Sequence, residues 1–234
     1  MNNKNGYQPV SYTKRIARMV SGVVVLVPIL TISSTAIAEP KPVRNCEQLA
    51  NLKVYNKAGE SYTNLLSAKV VSSTNLPEYC RVLGYIRPAI NFEVRLPTKN
   101  WNGKFYMVGC SGFCGKVEAD QPGFYNAINY GLKRNYAVST MDSGHRGTSP
   151  TDARWAYNNR LAEIDWGYRA VHETAYMTKE LITAYFGEKP KLSYFQGCSN
   201  GGRMANKPLL RGNQRWCVET IKNRYYYRFH AVRT

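Results

Sequence analysis

The segment that most constrains this chain is residues 192–196 followed at once by Gly197-Cys198-Ser199-Asn200-Gly201-Gly202. A short apolar run of buried-strand character leads directly into a serine with glycines two residues to either side. A sharp strand-to-helix turn needs such small residues, because its strained backbone passes close to its neighbours. A serine hydroxyl is a poor nucleophile until a base takes its proton and the chain presents it to substrate. The turn supplies presentation, which makes Ser199 the candidate nucleophile. The competing reading is a glycine-rich turn with an incidental serine, since the bare pattern is common by chance. The strand before it, and Gly202 where a helix would begin, favour the elbow.

The segments upstream supply a matching frame. Residues 68–72, 80–87 and 91–96 are short runs rich in Val, Ile and Tyr, bounded by Pro77, Pro88 and Pro97, and read as strands joined by tight turns. Residues 39–65 read as a mixed N-terminal arm. A strand at 104–108 runs into the glycine-rich loop 109–115. Residues 124–133 form a short helix and 136–141 an apolar strand. Leu161, Ile164, Tyr168, Val171, Ala175, Ile182 and Tyr185 then recur on one face of a long amphipathic helix, with Gly187 at the position of a left-handed cap and Pro190 beyond it. This alternation specifies an α/β sheet with parallel central strands, the first strands pairing antiparallel at one edge.

In such a sheet a nucleophile elbow needs preorganised N–H groups aimed at the developing oxyanion. One is the residue after the nucleophile, Asn200; the other comes from a glycine-rich loop after an earlier strand. The loop 109–115 occupies that place. Gly112 is the preferred donor, with Ser111 and Phe113 beside it, and a Cys110–Cys114 disulfide would stiffen the loop. Six cysteines allow 15 pairings, which spacing alone does not resolve. Zinc is disfavoured, because Cys110-x3-Cys114 has no second pair at finger spacing.

The net charge of +17 looks at first like a nucleic-acid footprint. Residues 1–38 hold four bases and no acid, and residues 207–234 hold seven bases and one acid, so only +7 remains for the 168 residues between. No basic stripe with interleaved aromatics occurs there, so neither nucleic acid nor, once the leader is cleaved, a membrane is the expected partner. Residues 1–38 read as a signal peptide: bases up to Arg18, an apolar run broken by Pro28, then Ala36-Ile37-Ala38. The run is short for a spanning anchor. Export places the chain outside the cell or in a periplasm, where disulfides persist.

Taken in order, Trp101-Asn102-Gly103-Lys104-Phe105, the loop 109–115, Asp142-Ser143-Gly144-His145 and the run from Gly197 to Met204 resemble the tannase/feruloyl esterase family, which includes mono(hydroxyethyl) terephthalate hydrolase. The resemblance covers about residues 46–205. It implies an α/β-hydrolase core acting on small aromatic-acid esters, with Ser199 as nucleophile. It also implies a Cys46–Cys80 bridge and, for Cys198, a disulfide to a cysteine beside the catalytic histidine. Asp142 and His145 match a family motif that orders the loop near the site; they are not triad members.

The family's triad Asp and His, its lid domain and the calcium site of that lid follow the elbow. Here 35 residues follow Ser199, among them one histidine, His230, and one acid, Glu219. Pro208 would interrupt the helix after the elbow within about two turns. The expectation is therefore a signal peptide at 1–38, the N-terminal portion of an α/β-hydrolase domain at 39–205, truncated after its elbow, and a basic, frameshift-like tail at 206–234. The alternative for the tail is a short natural variant that folds over the sheet. No cofactor is expected, and little activity without a base. A secreted, non-catalytic fragment that binds aromatic ligands is the second functional reading.

Overall fold

Strand alternation organises the first half of the chain. The computed structural model describes residues 40–55, 62–120, 128–147, 149–205, 219–220 and 226–228. The expected signal peptide and most of the tail, including Cys217 and His230, lie outside the described residues.

After a 3-10 turn at Glu47–Asn51 come β1 (Val54–Tyr55), β2 (Tyr62–Val71), β3 (Tyr79–Ile86) and β4 (Ile90–Pro97), an antiparallel meander. In β3 buried and half-buried positions alternate, whereas β4 is buried almost throughout, as an interior strand must be. The strand expected at 68–72 begins earlier, at Tyr62. A register shift between Leu65 and Ser67 breaks the two-residue period there, which hides the first half of β2 from pattern reading.

β5 (Lys104–Val108), β6 (Ala137–Met141) and β7 (Leu192–Cys198) form the parallel centre. β6 pairs antiparallel with β4 and parallel with β5, and β5 pairs parallel with β7. Residue 192 to residue 198 thus lies beside the strand that feeds the glycine-rich loop. The short helix α1 (Asn129–Leu132) precedes β6; the rest of the helix expected from residue 124 lies outside the described residues. On the far side of β7 the structure pairs β9 (Tyr226–Arg228), with β8 (Glu219–Thr220) beyond it. An open strand edge offers unpaired N–H and C=O groups that an extended segment can satisfy. The tail's sequence, basic and without a clear period, does not announce these strands.

The long helix is the main correction. It is three pieces: α2 (Arg160–Ile164), a π-helical turn at Asp165–Arg169 and α3 (Ala170–Phe186). The Asn159 side chain accepts from the Ala162 N–H at 3.2 Å and caps α2, and Gly187 at φ 77° ends α3 as expected. A wider turn inserts about one residue, roughly 100° of phase. Ala175, Ile182 and Tyr185 are accordingly buried, while Leu161 and Tyr168, assigned to the same face, are exposed. The buried face of α3 joins Phe105, Met107 and Phe195 of the sheet in one core, and Phe186 stacks on Trp101 with centroids 4.0 Å apart. The core is pinned by a Cys46–Cys80 disulfide that ties the N-terminal turn to β3.

Candidate active site

β7 delivers Ser199 to its C-terminal end, where the backbone reverses into α4 (Asn200–Ala205). Ser199 is exposed and holds φ 54°, a left-handed conformation that costs a non-glycine residue of order 1 kcal/mol or more. The strain persists because the surrounding glycines let three backbones touch. A Cβ on Gly197 would collide with the Gly201 carbonyl and lie 2.6 Å from its Cα; one on Gly109 would lie 2.9 Å from the Gly201 Cα. A Cβ on Gly201 would lie 3.3 Å from the Cys110 carbonyl oxygen. The Gly109 N–H donates to Gln196 O at 2.8 Å and locks the loop to β7.

The loop 109–115 carries a Cys110–Cys114 disulfide. Its Phe113 N–H donates to Pro150 O (2.6 Å), its Cys114 N–H to Ser111 O (2.9 Å) and its Gly115 N–H to Asp142 O (3.0 Å). The amides of Cys110, Ser111 and Gly112 have no hydrogen-bond partner among the described residues. Of these residues Cys110 abuts the elbow, beside Gly109, whose own N–H is taken by Gln196. Gly112, at φ 54°, packs against Pro150. Asn200 is buried at the start of α4, where a helix has backbone N–H groups to spare.

Asp142 is buried and accepts from the Asn91 N–H (3.0 Å), the Asn91 Nδ2 and the Gly144 N–H (2.9 Å), joining the start of β4 to the loop after β6. Gly144 leaves no room for a Cβ, which would collide with Asp165 in the π-helical turn. His145 is buried and stacks on Trp155 at 3.9 Å. Burial holds its pKa below the usual histidine value, against the pull of the Ser143 and Phe113 backbone. Neither of its nitrogens makes a well-aligned hydrogen bond, and none reaches Ser199. His172 is exposed on α3, with Nδ1 3.5 Å from Glu173 Oε1.

Burial also pushes the Asp142 carboxyl up to about 6, the Asn91 and Gly144 donors opposing it. Because the folded state holds this proton more tightly than the unfolded chain, the group's contribution to stability is fully present below about pH 4 and is lost as pH rises through about 6. Relative to Asp142→Asn, the wild-type chain is expected to lose about 2–3 kcal/mol between pH 4 and pH 7.5. Urea denaturation of both proteins at the two pH values checks this; parallel pH dependences would refute it.

A cleft of about 660 Å³ opens beside these loops, lined by Asn91, Gly115, Lys116, Val117, Asp142, Arg146, Gly147 and Asp152. Ser199 and Asn200 do not line it. Among the described residues no three His, Cys, Asp or Glu side chains converge as a metal site.

Three features near the elbow were not read from the sequence. They are the π-helical turn, the contact cluster of Phe113, Trp155 and Trp166, with centroids 5.8–6.1 Å apart, and the bonds of Arg203. Arg203 stands four residues after Ser199, a spacing that places it on the same helix face. What that face meets is not local information.

A family model described as tannase and feruloyl esterase matches residues 69–219. An uncharacterised esterase of Xanthomonas campestris pv. campestris is 41% identical over 134 residues, which are 56% of this chain and 22% of that protein. The mono(2-hydroxyethyl) terephthalate hydrolase of Piscinibacter sakaiensis is 33% identical over 147 residues, 56% of this chain and 24% of that protein. The crystal structure of feruloyl esterase B from Aspergillus oryzae superposes with a TM-score of 0.55 at 26% identity, covering 68% of this chain and 32% of that one. The chain thus spans about a quarter of the length of these curated relatives.

Proposed function

Because this chain belongs to the tannase and feruloyl esterase family, we propose that it carries the nucleophile portion of a carboxylic ester hydrolase site for aromatic-acid esters. The observation that carries this reading is Ser199 at φ 54°, exposed on a turn where Gly197, and Gly109 of the facing loop, leave no room for a side chain against Gly201. In this reading the Ser199 hydroxyl attacks the ester carbonyl carbon. The oxyanion is received by the Asn200 backbone N–H and by an amide of the 110–112 stretch, Gly112 among them. The acyl-serine then forms as the alcohol leaves, and water releases the aromatic acid.

Attack needs a base, and among the described residues no imidazole bonds to the Ser199 hydroxyl. A hydroxyl without one keeps its ordinary pKa, so turnover supported by these residues alone is orders of magnitude below that of a complete triad. We therefore expect the mature chain to hydrolyse an activated nitrophenyl ester slowly and methyl ferulate or methyl gallate barely at all. Ser199→Ala should abolish the slow reaction. Turnover that survives Ser199→Ala would sink the assignment, and rapid, Ser199-dependent turnover of methyl ferulate would place a base beside the elbow after all.

A non-catalytic, aromatic-ligand-binding role is the second reading. It is favoured by the half-buried rings of Phe113, Trp155 and Trp166 beside the elbow. Saturable binding of ferulate without turnover would support it. Two disulfides in the described residues fit an oxidising compartment, in keeping with export.

A further inference from the structure

Arg203 lies one turn into α4, yet its guanidinium faces the protein. Every nitrogen is engaged: Nε donates to Asn200 Oδ1 (2.6 Å), Nη1 to Gly167 O (2.9 Å) and Nη2 to Trp166 O (2.7 Å). The group lies 3.7 Å over the Trp166 ring. Among the described residues no carboxylate pairs with it, and burial draws its pKa down. A half-buried cation is thus held by two carbonyls, an amide oxygen and a π face. Both carbonyls belong to the π-helical turn.

The next link is Asn200. With Oδ1 fixed by a charged donor, the side-chain amide has only one orientation, and Nδ2 points at Cys114, donating to its Sγ at 3.0 Å. Sulfur is a weak acceptor, so this bond is modest by itself. Its direction is set from the other side, by the stronger bond from Arg203. Cys114 in turn closes the loop 109–115 through its disulfide. A continuous series of contacts therefore runs from the π-helical turn through Arg203 and Asn200 to the glycine-rich loop. It crosses between segments 36, 37 and 86 residues apart in sequence.

We infer that Arg203 is a positioning residue of the Ser199 site: by clamping the Asn200 side chain against the Cys110–Cys114 disulfide, it sets the spacing between the elbow and the glycine-rich loop. The Asn200 N–H and the amides of residues 110–112 are then held at a fixed separation, which oxyanion stabilisation requires to a fraction of an ångström. The short disulfide thereby gains a role beyond stiffening its own loop, because its sulfur is the far anchor of the clamp. The catalytic meaning of this clamp rests on the ester-hydrolase reading; the coupling itself does not.

The test reads the coupling without turnover. On the mature full chain, the reduction rate of each disulfide by dithiothreitol is followed by alkylation and mass mapping in wild type, Arg203→Met, Asn200→Ala and the double variant. Each single variant is expected to speed reduction of Cys110–Cys114 about tenfold, the loss of one charge-assisted bond. The double variant should be no faster than either single, and Cys46–Cys80 should not change. Equal acceleration of both disulfides would mean a merely structural role and overturn the inference, as would additive effects or no effect. If Arg203→Met does not fold, Asn200→Ala decides alone, since it leaves the carbonyl bonds of Arg203 intact: selective acceleration supports the clamp and its absence refutes it. Nitrophenyl ester hydrolysis measured on the same samples separates the two readings. With a working site, Arg203→Met lowers kcat about tenfold at unchanged KM; a chain without turnover counts against the hydrolase reading while the disulfide rates still decide the clamp.

Discussion

Gly197→Ala is expected to destabilise the chain by about 3–5 kcal/mol and to abolish the turn that presents Ser199. The added methyl would collide with the carbonyl carbon and oxygen of Gly201 and lie 2.6 Å from its Cα, all of them backbone atoms that no rotamer change can move. Neither side can retreat. Gly197 follows Gln196, which pairs with Val108 of β5, and itself pairs with Tyr227 of β9, while Gly201 is pressed against Gly109 and Cys110. Relief would require opening the junction between β7, the glycine-rich loop and α4, where the oxyanion donors are proposed to lie. Gly167→Ala is the control. Nothing lies within 4 Å of its Cβ position, and the residue sits in a helical segment where alanine is favoured over glycine by about 1 kcal/mol. Urea denaturation of the two variants beside wild type should therefore show shifts of opposite sign. A loss below about 1 kcal/mol for Gly197→Ala would mean that the backbones do not approach as described.

Arg95→Met is expected to cost about 3–5 kcal/mol, through a charge left behind and not through lost packing. Arg95 is fully buried in β4, with its Nε on Glu93 Oε1 at 2.7 Å and its Nη atoms on the Asp120 carboxylate at 2.9 and 3.0 Å. Glu93 is buried as well, and its other partner is Arg81, which donates from Nε (2.9 Å) and Nη2 (2.8 Å) but is itself partly exposed. Methionine fills much of the volume and removes the cation. Asp120 loses little, since its side chain is largely in water. Glu93 loses a buried partner that its half-exposed one does not replace. Adding Glu93→Gln to Arg95→Met should recover part of the loss, because it neutralises the stranded carboxylate. Chemical denaturation of the two variants checks this; a double variant less stable than Arg95→Met would refute the account.

What was readable along the chain follows from the range of the interactions involved. Strands β3, β4 and β5 and the elbow were legible because two-residue alternation, proline boundaries and flanking glycines are local signals. Gly187 was legible as the helix end for the same reason. The first half of β2 was not, since its bulge cancels the alternation between Leu65 and Ser67. Leu161 and Tyr168 were placed on the buried face because no residue type announces a π-helical turn, and that turn shifts the phase of everything before it.

At the candidate site the division is similar. The sequence by itself determined that Ser199 stands on a strand-to-helix turn, that a glycine-rich loop follows β5, and which family the pattern resembles. Each of these is written in contiguous residues whose backbone preferences act over a few bonds. Only the tertiary structure decided that Gly109, Gly197 and Gly201 meet at one point and that Arg203 bridges the π-helical turn to Asn200. It also decided that Asn200 rests on the Cys114 sulfur and that Asp142 is buried deeply enough to push its carboxyl up to about 6. Those outcomes depend on burial and on contacts between residues tens of positions apart. Such contacts form only when the sheet brings β4, β5, β6 and β7 side by side, and no local propensity encodes them.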